Sequence, residues 1–139
     1  MKGKRTRFKK KVVSLEVERF KFLDESSVNL SLTRLYGRAA PDQRVVDRTP
    51  QPSGPQTTTL AVIGLEGITA PLVLPGAVNG NLFYGYIEQC VVPTLKAGEI
   101  LFMDNLSAHK VAGIEALIEG CGAHVIYLPP YSPDFNPIE

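Results

Sequence analysis

The run Ile100-Leu101-Phe102-Met103 constrains the fold most, because four consecutive apolar residues lead directly into Asp104. A short continuous apolar run is typical of a strand that is buried on both faces of a sheet. Such a strand needs cover on both sides, so we predict a layered α/β fold. His124 to Leu128 predicts a last strand of the same sheet, ended by Pro129-Pro130.

Further strands are predicted in the first half of the chain. Val17 to Leu23 is rich in Phe and Val and predicts a strand that runs into Asp24. Ser31 to Gly37 alternates polar with apolar residues, as a second antiparallel strand would. Two β-type runs, 58–65 and 68–74, meet at Glu66-Gly67, a two-residue link that fits a hairpin. We therefore expect an antiparallel meander of three strands beside a parallel remainder.

Two amphipathic helices and one long loop complete the prediction. Apolar residues recur at helical spacing from Leu82 to Val91, with Asn81 as N-cap and Pro93 as the stop. The same spacing over residues 111–121 predicts a second helix, closed by glycines. Residues 40–57 collect proline and glycine with few apolar residues, which indicates a surface loop.

Composition limits the class of protein. The 139 residues, 44% hydrophobic and 21% charged, fit one compact domain. No apolar run approaches the roughly 20 residues needed to span a bilayer, and the basic start is too charged for a signal peptide, so we predict a cytoplasmic protein. Cys90 and Cys121 form no Cys-x-x-Cys pair, which favours two buried thiols over a zinc site or a disulfide.

Positive charge is concentrated at the start of the chain. Residues 1–21 hold nine Lys or Arg and two Glu, a net charge of +7, whereas the remaining 118 residues carry a net charge of −6. A basic arm of this kind neutralises phosphates non-specifically, or it is a solvated tail without a partner. The candidate DNA-binding residues are Lys2, Lys4, Arg5, Arg7, Lys9, Lys10 and Lys11.

Asp24 and Asp104 each stand where an apolar strand is predicted to end. A buried carboxylate is costly unless it is compensated, and a divalent cation would compensate both. Two Mg²⁺ ions about 4 Å apart can activate an attacking oxygen and stabilise a leaving oxygen on a phosphodiester. The order of elements can bring both aspartates to adjacent strand ends. Alternatively, either aspartate simply ends its strand at a turn.

The segment from Tyr127 to Pro137 is dense in proline and aromatic residues, which predicts a rigid extended connection. It leads into Asn136-Pro137-Ile138-Glu139, which is typical of a helix start with Asn as the N-cap. Glu139 is therefore either a third metal-binding carboxylate or a capping-box glutamate.

Two polar residues follow the second aspartate. Asn105 either orients a metal-bound carboxylate or water, or occupies a turn. His109 lies at the start of a predicted helix, where it either meets a phosphate or is a plain cap or surface residue.

Three motifs closely resemble the DDE transposases of the mariner-like superfamily, especially its bacterial insertion-sequence branch. They are Leu23-Asp24-Glu25-Ser26, the stretch from Met103 to His109 (MDNLSAH), and the stretch from Leu128 to Glu139 (LPPYSPDFNPIE). The 34 residues between Asp104 and Glu139 are the hallmark spacing of that superfamily. The last motif is long and specific.

This resemblance covers roughly residues 20–139 and implies a ribonuclease-H-like mixed sheet flanked by helices. It implies that Asp24, Asp104 and Glu139 are the catalytic residues and bind two Mg²⁺ or Mn²⁺ ions. Hydrolysis would nick a transposon end, and the freed 3′-hydroxyl would attack target DNA. The expected partners are DNA and a second copy of the chain, at the nucleoid. Three further residues are expected near the metal or the substrate: Asn105, His109 and Asn136.

We therefore expect a basic flexible arm over residues 1–16 and a catalytic domain over residues 17–139 that lacks the helix after Glu139. Family members normally carry helix-turn-helix domains ahead of the first aspartate, so a fragment or decayed copy with weak or no activity is expected. Two other functions stay open. One is an inactive remnant that binds DNA or full-length transposase. The other is an unrelated ribonuclease-H-like nuclease such as a resolvase, which would not share the Pro-Pro-Tyr-Ser-Pro stretch.

Overall fold

The computed structural model describes residues 2–29, 36–48, 54–105, 112–130 and 132–138. Within them, five strands form one sheet: β1 (Phe20–Val28), β2 (Thr57–Gly64), β3 (Gly67–Pro75), β4 (Ile100–Met103) and β5 (His124–Tyr127). The α-helices of the same residues are α1 (Lys2–Val13), α2 (Gly80–Tyr86) and α3 (Ile114–Gly120). Shorter helical turns lie at Val17–Arg19, Ile87–Val91, Val92–Thr94 and Pro133–Phe135.

The sheet is mixed, as predicted, with strand order β3-β2-β1-β4-β5. β1, β2 and β3 form the antiparallel meander, and β4 pairs in parallel with both β1 and β5. The hairpin between β2 and β3 turns at Leu65-Glu66, one residue earlier than predicted, because Gly67 already pairs with Gly64. The predicted strand over residues 31–37 lies almost wholly outside the described residues, and its last two residues, Tyr36 and Gly37, are not in a strand.

One face of the sheet, which we call the aliphatic face, packs against α2 and α3. Phe83 of α2 and Ile114 and Ile118 of α3 are fully buried against it. The strand residues on this face are Leu23, Leu60, Val62, Leu101 and Met103, all 0% exposed. Burial of this kind, at roughly 25 cal/mol per Å² of apolar surface, is the main source of stability in a small domain.

The opposite face, which we call the aromatic face, is covered by α1. Its core residues are Phe20, Ile100, Phe102 and Leu128, with the half-buried Phe22, Ile126 and Phe135 packed around them. Side chains on a strand alternate between faces, so Phe20 and Phe22 point to this side while Leu23 points to the other.

The first 16 residues differ from the prediction of an arm without regular structure. Residues Lys2–Val13 form a helix of 12 residues, and its last turn carries Lys10 and Lys11, which favour the negative end of the helix dipole. Phe8, Val12 and Leu15 recur at helical spacing and pack against the aromatic face. The apolar stripe is narrow and lies among many cations, which is why the sequence did not reveal it.

The two other helices begin at different residues than predicted. Asn79, not Asn81, caps α2, because the Asn79 side chain accepts a hydrogen bond from the Leu82 N–H at 2.9 Å. α3 begins at Ile114 because Gly113, at φ 96°, has left-handed backbone geometry that a helix cannot continue. The predicted surface loop is confirmed where it is described: residues 40–48 and 54–56 contain no helix or strand.

Two smaller expectations concern membranes and cysteines. Among the described residues, no helix has the length and apolar character to cross a bilayer. Cys90 and Cys121 are free, as expected, but both are only half-buried. Each lies at the margin of the aliphatic core rather than inside it, so the prediction of buried thiols is wrong in degree.

A buried lysine lies near the start of β1, three residues before Asp24. Lys21 is 2% exposed, forms an ion pair with Glu66, and lies 3.7 Å from Glu99. Glu99 is itself buried, and its carboxylate accepts a hydrogen bond from the Lys96 N–H at 2.8 Å. A buried charge persists only when it is paired, so these carboxylates hold the lysine in place.

Candidate carboxylate site

Two aspartates lie side by side where the parallel pairing of β1 with β4 ends. Leu23 and Met103 are the last paired residues, and Asp24 and Asp104 come next along the two strands. Neighbouring strands lie about 4.8 Å apart, so the two side chains are neighbours. The strand itself continues to Val28 through its pairing with β2, so the prediction that it ends at Asp24 is wrong.

Both carboxylates belong to the aromatic face. Phe22 and Phe102 precede them by two positions and stack with ring centroids 4.8 Å apart and planes 15° apart. Because alternate residues share a face, Asp24 and Asp104 lie on the same face as these two rings, two residues further along each strand. Both aspartates are half-buried, so their charges are only partly solvated.

Each aspartate is held by the backbone that follows it. The Glu25 N–H donates to Asp24 Oδ1 at 2.8 Å, and the Asn105 N–H donates to Asp104 Oδ1 at 2.6 Å. Hydrogen bonds to an ionised carboxylate are about twice as strong as neutral ones and fix its orientation. Two carboxylates held this close repel each other, and a hard divalent cation between them would relieve the repulsion.

Asn136 connects the C-terminal motif to the first aspartate. Its Nδ2 donates to Asp24 Oδ2 at 2.9 Å, although the two residues are 112 positions apart in the chain. The Asn136 side chain is buried, and its Oδ1 accepts from the Ile138 N–H at 3.4 Å, as an N-cap does. The structure thus brings Asn136 into direct contact with Asp24.

The connection before Asn136 is more compact than the predicted extended segment. Pro133–Phe135 forms a 3-10 turn, closed by hydrogen bonds from the Phe135 N–H to the Ser132 carbonyl and from the Asn136 N–H to the Pro133 carbonyl. We call residues Pro133–Phe135 the proline turn. It folds because proline fixes φ near the helical value at its first position.

The helix α1 packs on this turn. Phe8 stacks on Phe135 with ring centroids 5.2 Å apart, and Arg5 pairs with Asp134 at 2.6 Å while its guanidinium lies 4.8 Å from the Phe135 ring. An exposed ion pair alone contributes up to about 1 kcal/mol, and an aromatic pair adds roughly 0.5–1.5 kcal/mol. Sequence reasoning did not assign Phe8, Asp134 or Phe135 to the site; the spacing of Phe8, Val12 and Leu15 was the signal that could have found the helix.

The cations of α1 divide between two places. Lys4, Arg7 and Lys11 line a groove of about 480 Å³ that runs past Asn105 and the end of β5 to Pro129-Pro130. Arg5 and Lys9 instead lie over Phe135, with the Lys9 ammonium 5.4 Å from the ring. Lys10 is exposed, and Lys2 begins the helix.

Two predicted site residues, His109 and Glu139, lie outside the described residues. Within the described part of the chain, no three His, Cys, Asp or Glu side chains form a cluster that could hold a metal ion. The described site thus consists of Asp24 and Asp104, with Asn105 and Asn136 beside them.

A mixed sheet that pairs aspartates at the ends of adjacent parallel strands defines the class of ribonuclease-H-like domains. Residues 19–139 match the family described as DDE superfamily endonuclease, and the chain belongs to this family. No curated protein matches the sequence.

Solved structures with the same fold include several of the Mos1 transposase. The pre-cleavage Mos1 transpososome is 18% identical, with a TM-score of 0.66, and the match covers 96% of this chain and 42% of that one. The Mos1 paired end complex with Mg is 19% identical, with a TM-score of 0.66 and coverages of 95% and 41%. The Mos1 catalytic domain is 17% identical, with a TM-score of 0.56 and coverages of 95% and 58%. The chain thus spans less than half the length of the first two.

Proposed function

We propose that the chain is the catalytic domain of a DNA transposase of the mariner-like superfamily, bacterial insertion-sequence branch. In this proposal Asp24, Asp104 and Glu139 hold two Mg²⁺ or Mn²⁺ ions. The observation that carries it is the register that sets Asp24 beside Asp104 on one face of the sheet. Membership of the endonuclease family supports the same chemistry, and the similar Mos1 complexes include one with Mg and one with Mn.

The place of Glu139 in this proposal depends on chain reach. Asn136 contacts Asp24, and three further residues lead from Asn136 to Glu139. Three residues span at most about 11 Å, and this short reach supports Glu139 as the third carboxylate of the proposal. The spacing from Asp104 and the motif around Glu139 also support this role.

The proposed reaction is hydrolysis of one phosphodiester followed by transfer of the strand. Two bound divalent cations would activate the attacking oxygen and stabilise the leaving oxygen. In the first step water attacks phosphorus and the P–O3′ bond breaks, which leaves a 3′-hydroxyl and a 5′-phosphate. In the second step that hydroxyl attacks a target phosphorus and displaces the target's own 3′-oxygen. No covalent bond to the protein forms.

The residues of the chain supply orientation for both steps. The N–H groups of Glu25 and Asn105 fix one oxygen of each aspartate, and Asn136 holds the second oxygen of Asp24. Catalytic geometry tolerates only about 0.5 Å of displacement. Of these donors, Asn136 is the one that comes from a distant part of the chain, and its contact orients Asp24 in the proposed site. His109 is kept in the proposal as a phosphate contact.

The proposed path of the DNA is the groove beside α1. It is lined by the cations Lys4, Arg7 and Lys11 and by Asn105, the residue next to Asp104. Phosphates bound along this groove would lead the backbone to the carboxylates. Two copies of the chain would act together at two transposon ends, since several similar structures are paired-end complexes. A cytoplasmic, nucleoid-associated protein fits this role.

The test is nicking of supercoiled plasmid in Mn²⁺ or Mg²⁺ by the wild-type chain and by two matched variants. Asp104→Asn removes a site carboxylate, whereas Asp47→Asn removes an exposed loop carboxylate that also accepts a hydrogen bond, at 2.8 Å, from the following N–H. We expect Asp104→Asn to lower the rate more than about 100-fold and Asp47→Asn to leave it unchanged. Absent nicking, or equal rates in all three proteins, would remove the claim of activity.

The groove also supports a second function, binding of DNA without cleavage, in which the chain is an inactive remnant that acts on DNA or on full-length transposase. In that case the affinity for DNA would be unchanged in Asp104→Asn and would fall as salt is raised. The slope of log K against log [salt] would be about −0.9 for each phosphate contact. Fluorescence anisotropy with a labelled duplex, over a range of salt concentrations, measures both quantities.

A further inference from the structure

A line of aromatic rings joins the proline turn to both strands of the carboxylate site. Phe135 stacks on Phe8 at 5.2 Å, Phe8 meets Phe102 edge to face at 6.1 Å, and Phe102 stacks on Phe22 at 4.8 Å. Phe22 and Phe102 precede Asp24 and Asp104 by two residues on the same face. Phe8, from α1, therefore contacts both the turn and the sheet beneath the aspartates.

Arg5 holds the same turn from its outer side. One guanidinium nitrogen lies 2.6 Å from Asp134 Oδ2, and the guanidinium carbon lies 4.8 Å from the Phe135 ring. The planar guanidinium thus makes an ion pair and a cation–π contact with two consecutive residues of the turn. These two contacts limit how the turn can shift along the sheet.

The turn carries this constraint into the site within one residue. Asn136 follows Phe135, its N–H donates to the Pro133 carbonyl at 2.7 Å, and its side chain donates to Asp24 Oδ2 at 2.9 Å. Because Asn136 is buried, its amide has little room to reach Asp24 if the turn moves. A shift of the turn would therefore change the orientation of the Asp24 carboxylate.

We propose that Arg5 and Phe8 are positioning residues of the carboxylate site, which act through the proline turn and Asn136 on Asp24. This proposal rests on the proposed function for its catalytic readout. The proposal gives Arg5 and Arg7 different roles. Both are cations of α1, but Arg7 lines the groove, whereas Arg5 contacts the proline turn. The helix thus orients the site with one face and faces the groove with the other.

The first experiment compares Arg5→Ala, Phe8→Leu and Arg7→Ala in steady-state nicking of plasmid with Mn²⁺. Arg5→Ala and Phe8→Leu are expected to lower kcat about 5- to 10-fold, with KM for DNA changed less than about twofold, and to raise the Mn²⁺ concentration for half-maximal rate. Arg7→Ala is expected to raise KM and leave kcat unchanged. The proposal is overturned if Arg5→Ala raises KM as Arg7→Ala does while kcat stays at the wild-type value.

A charge exchange tests the contact itself. Arg5→Glu alone should lower kcat further than Arg5→Ala, because it places two carboxylates together at the turn. Combining Arg5→Glu with Asp134→Arg restores the pair and should return kcat and the Mn²⁺ requirement to within about twofold of wild type. A double variant no better than Arg5→Glu alone would contradict the proposal.

A measurement without catalysis decides the proposal even if the wild-type chain does not nick DNA. The side-chain amide of Asn136, assigned by its loss in Asn136→Asp, is followed by NMR in each variant. The resonances should shift in Arg5→Ala and Phe8→Leu and stay in place in Arg7→Ala. An unchanged Asn136 amide in the first two variants would refute the coupling, whereas absent nicking with shifted resonances would count only against the proposed function.

Discussion

The two faces of the sheet differ in how completely they are covered. On the aliphatic face, Leu23, Leu60 and Leu101 are 0% exposed beneath α2 and α3. On the aromatic face, Phe20 is 8% exposed and Phe22 is half-buried beneath α1. Both aspartates of the site lie on this less complete face. We therefore expect the aliphatic face to contribute more to the free energy of unfolding, whereas the aromatic face carries the two aspartates.

The two faces also differ in their chemistry. Aliphatic side chains pack densely and give the sheet a rigid support. On the aromatic face, rings from different elements contact one another, as Phe8 contacts both Phe135 and Phe102. A change on the aliphatic face should therefore affect stability first, whereas a change on the aromatic face should affect the site before the fold.

The largest effect on stability is expected for Phe83→Ala. Phe83 is 0% exposed in the aliphatic core, so its removal leaves a cavity and should lower the free energy of unfolding by about 3–5 kcal/mol. Phe22→Ala, the same change on the aromatic face, should cost about half as much, since the ring is half-buried. Urea denaturation monitored by circular dichroism measures both. An equal or larger loss for Phe22→Ala would break the distinction between the faces.

A smaller effect is expected at the start of α2. Asn79→Ala removes the hydrogen bond to the Leu82 N–H and should lower the free energy of unfolding by about 1 kcal/mol. Asn81→Ala is the matched control and should change it by less than about 0.5 kcal/mol. Because α2 covers the aliphatic face, the rate of DNA nicking should not change in either variant. A slower rate in Asn79→Ala would show that the two faces are coupled.

The smallest effect is a pH dependence confined to alkaline solution. Burial, and after it the charge and hydrogen bond of Glu115, together raise the pKa of Tyr127 from 10.0 to about 12. A raised folded-state pKa stabilises the protein fully below the unfolded value, and this contribution is lost as pH rises from 10.0 to about 12. In Tyr127→Phe the free energy of unfolding should not show this loss over the same pH range.

Glu115→Gln sharpens the same test, because it removes the charge without removing the burial. The pKa of Tyr127 should then fall below its wild-type value but stay above 10.0. Ultraviolet absorbance of tyrosinate follows it, with Tyr127→Phe subtracted to remove the four other tyrosines of the chain. An unchanged titration in Glu115→Gln would show that burial alone sets the pKa.

The sequence predicted the sheet well because local patterns determine most of it. Continuous or alternating apolar runs located the four strands of residues 57–75, 100–103 and 124–127 to within one or two residues. It failed for α1, where only three apolar residues lie among seven cations and one glycine, and at the α2 cap, where Asn79 and Asn81 are both plausible by type. Caps are decided by backbone geometry, which residue type alone does not fix.

For the site, the sequence indicated both aspartates because each follows an apolar run. It could not indicate that Asn136 donates to Asp24, since that contact joins positions 112 residues apart. Nor could it divide the cations of α1 between the groove and the proline turn, because that division follows from where Phe8 docks. Contacts between distant elements depend on tertiary packing and leave no periodic signal in the sequence.

The buried lysine near the start of β1 has a consequence for Asp24, three residues further along the strand. Lys21 and Asp24 are three residues apart and therefore point to opposite faces. A slip of β1 by one residue would turn the ammonium away from Glu99 towards Phe102, and would turn the carboxylate towards Met103. Gly64 leaves room for the lysine in the observed register, because a Cβ there would lie 2.9 Å from Lys21 Cδ. The buried ion pair thus favours the register that places Asp24 on the same face of the sheet as Asp104.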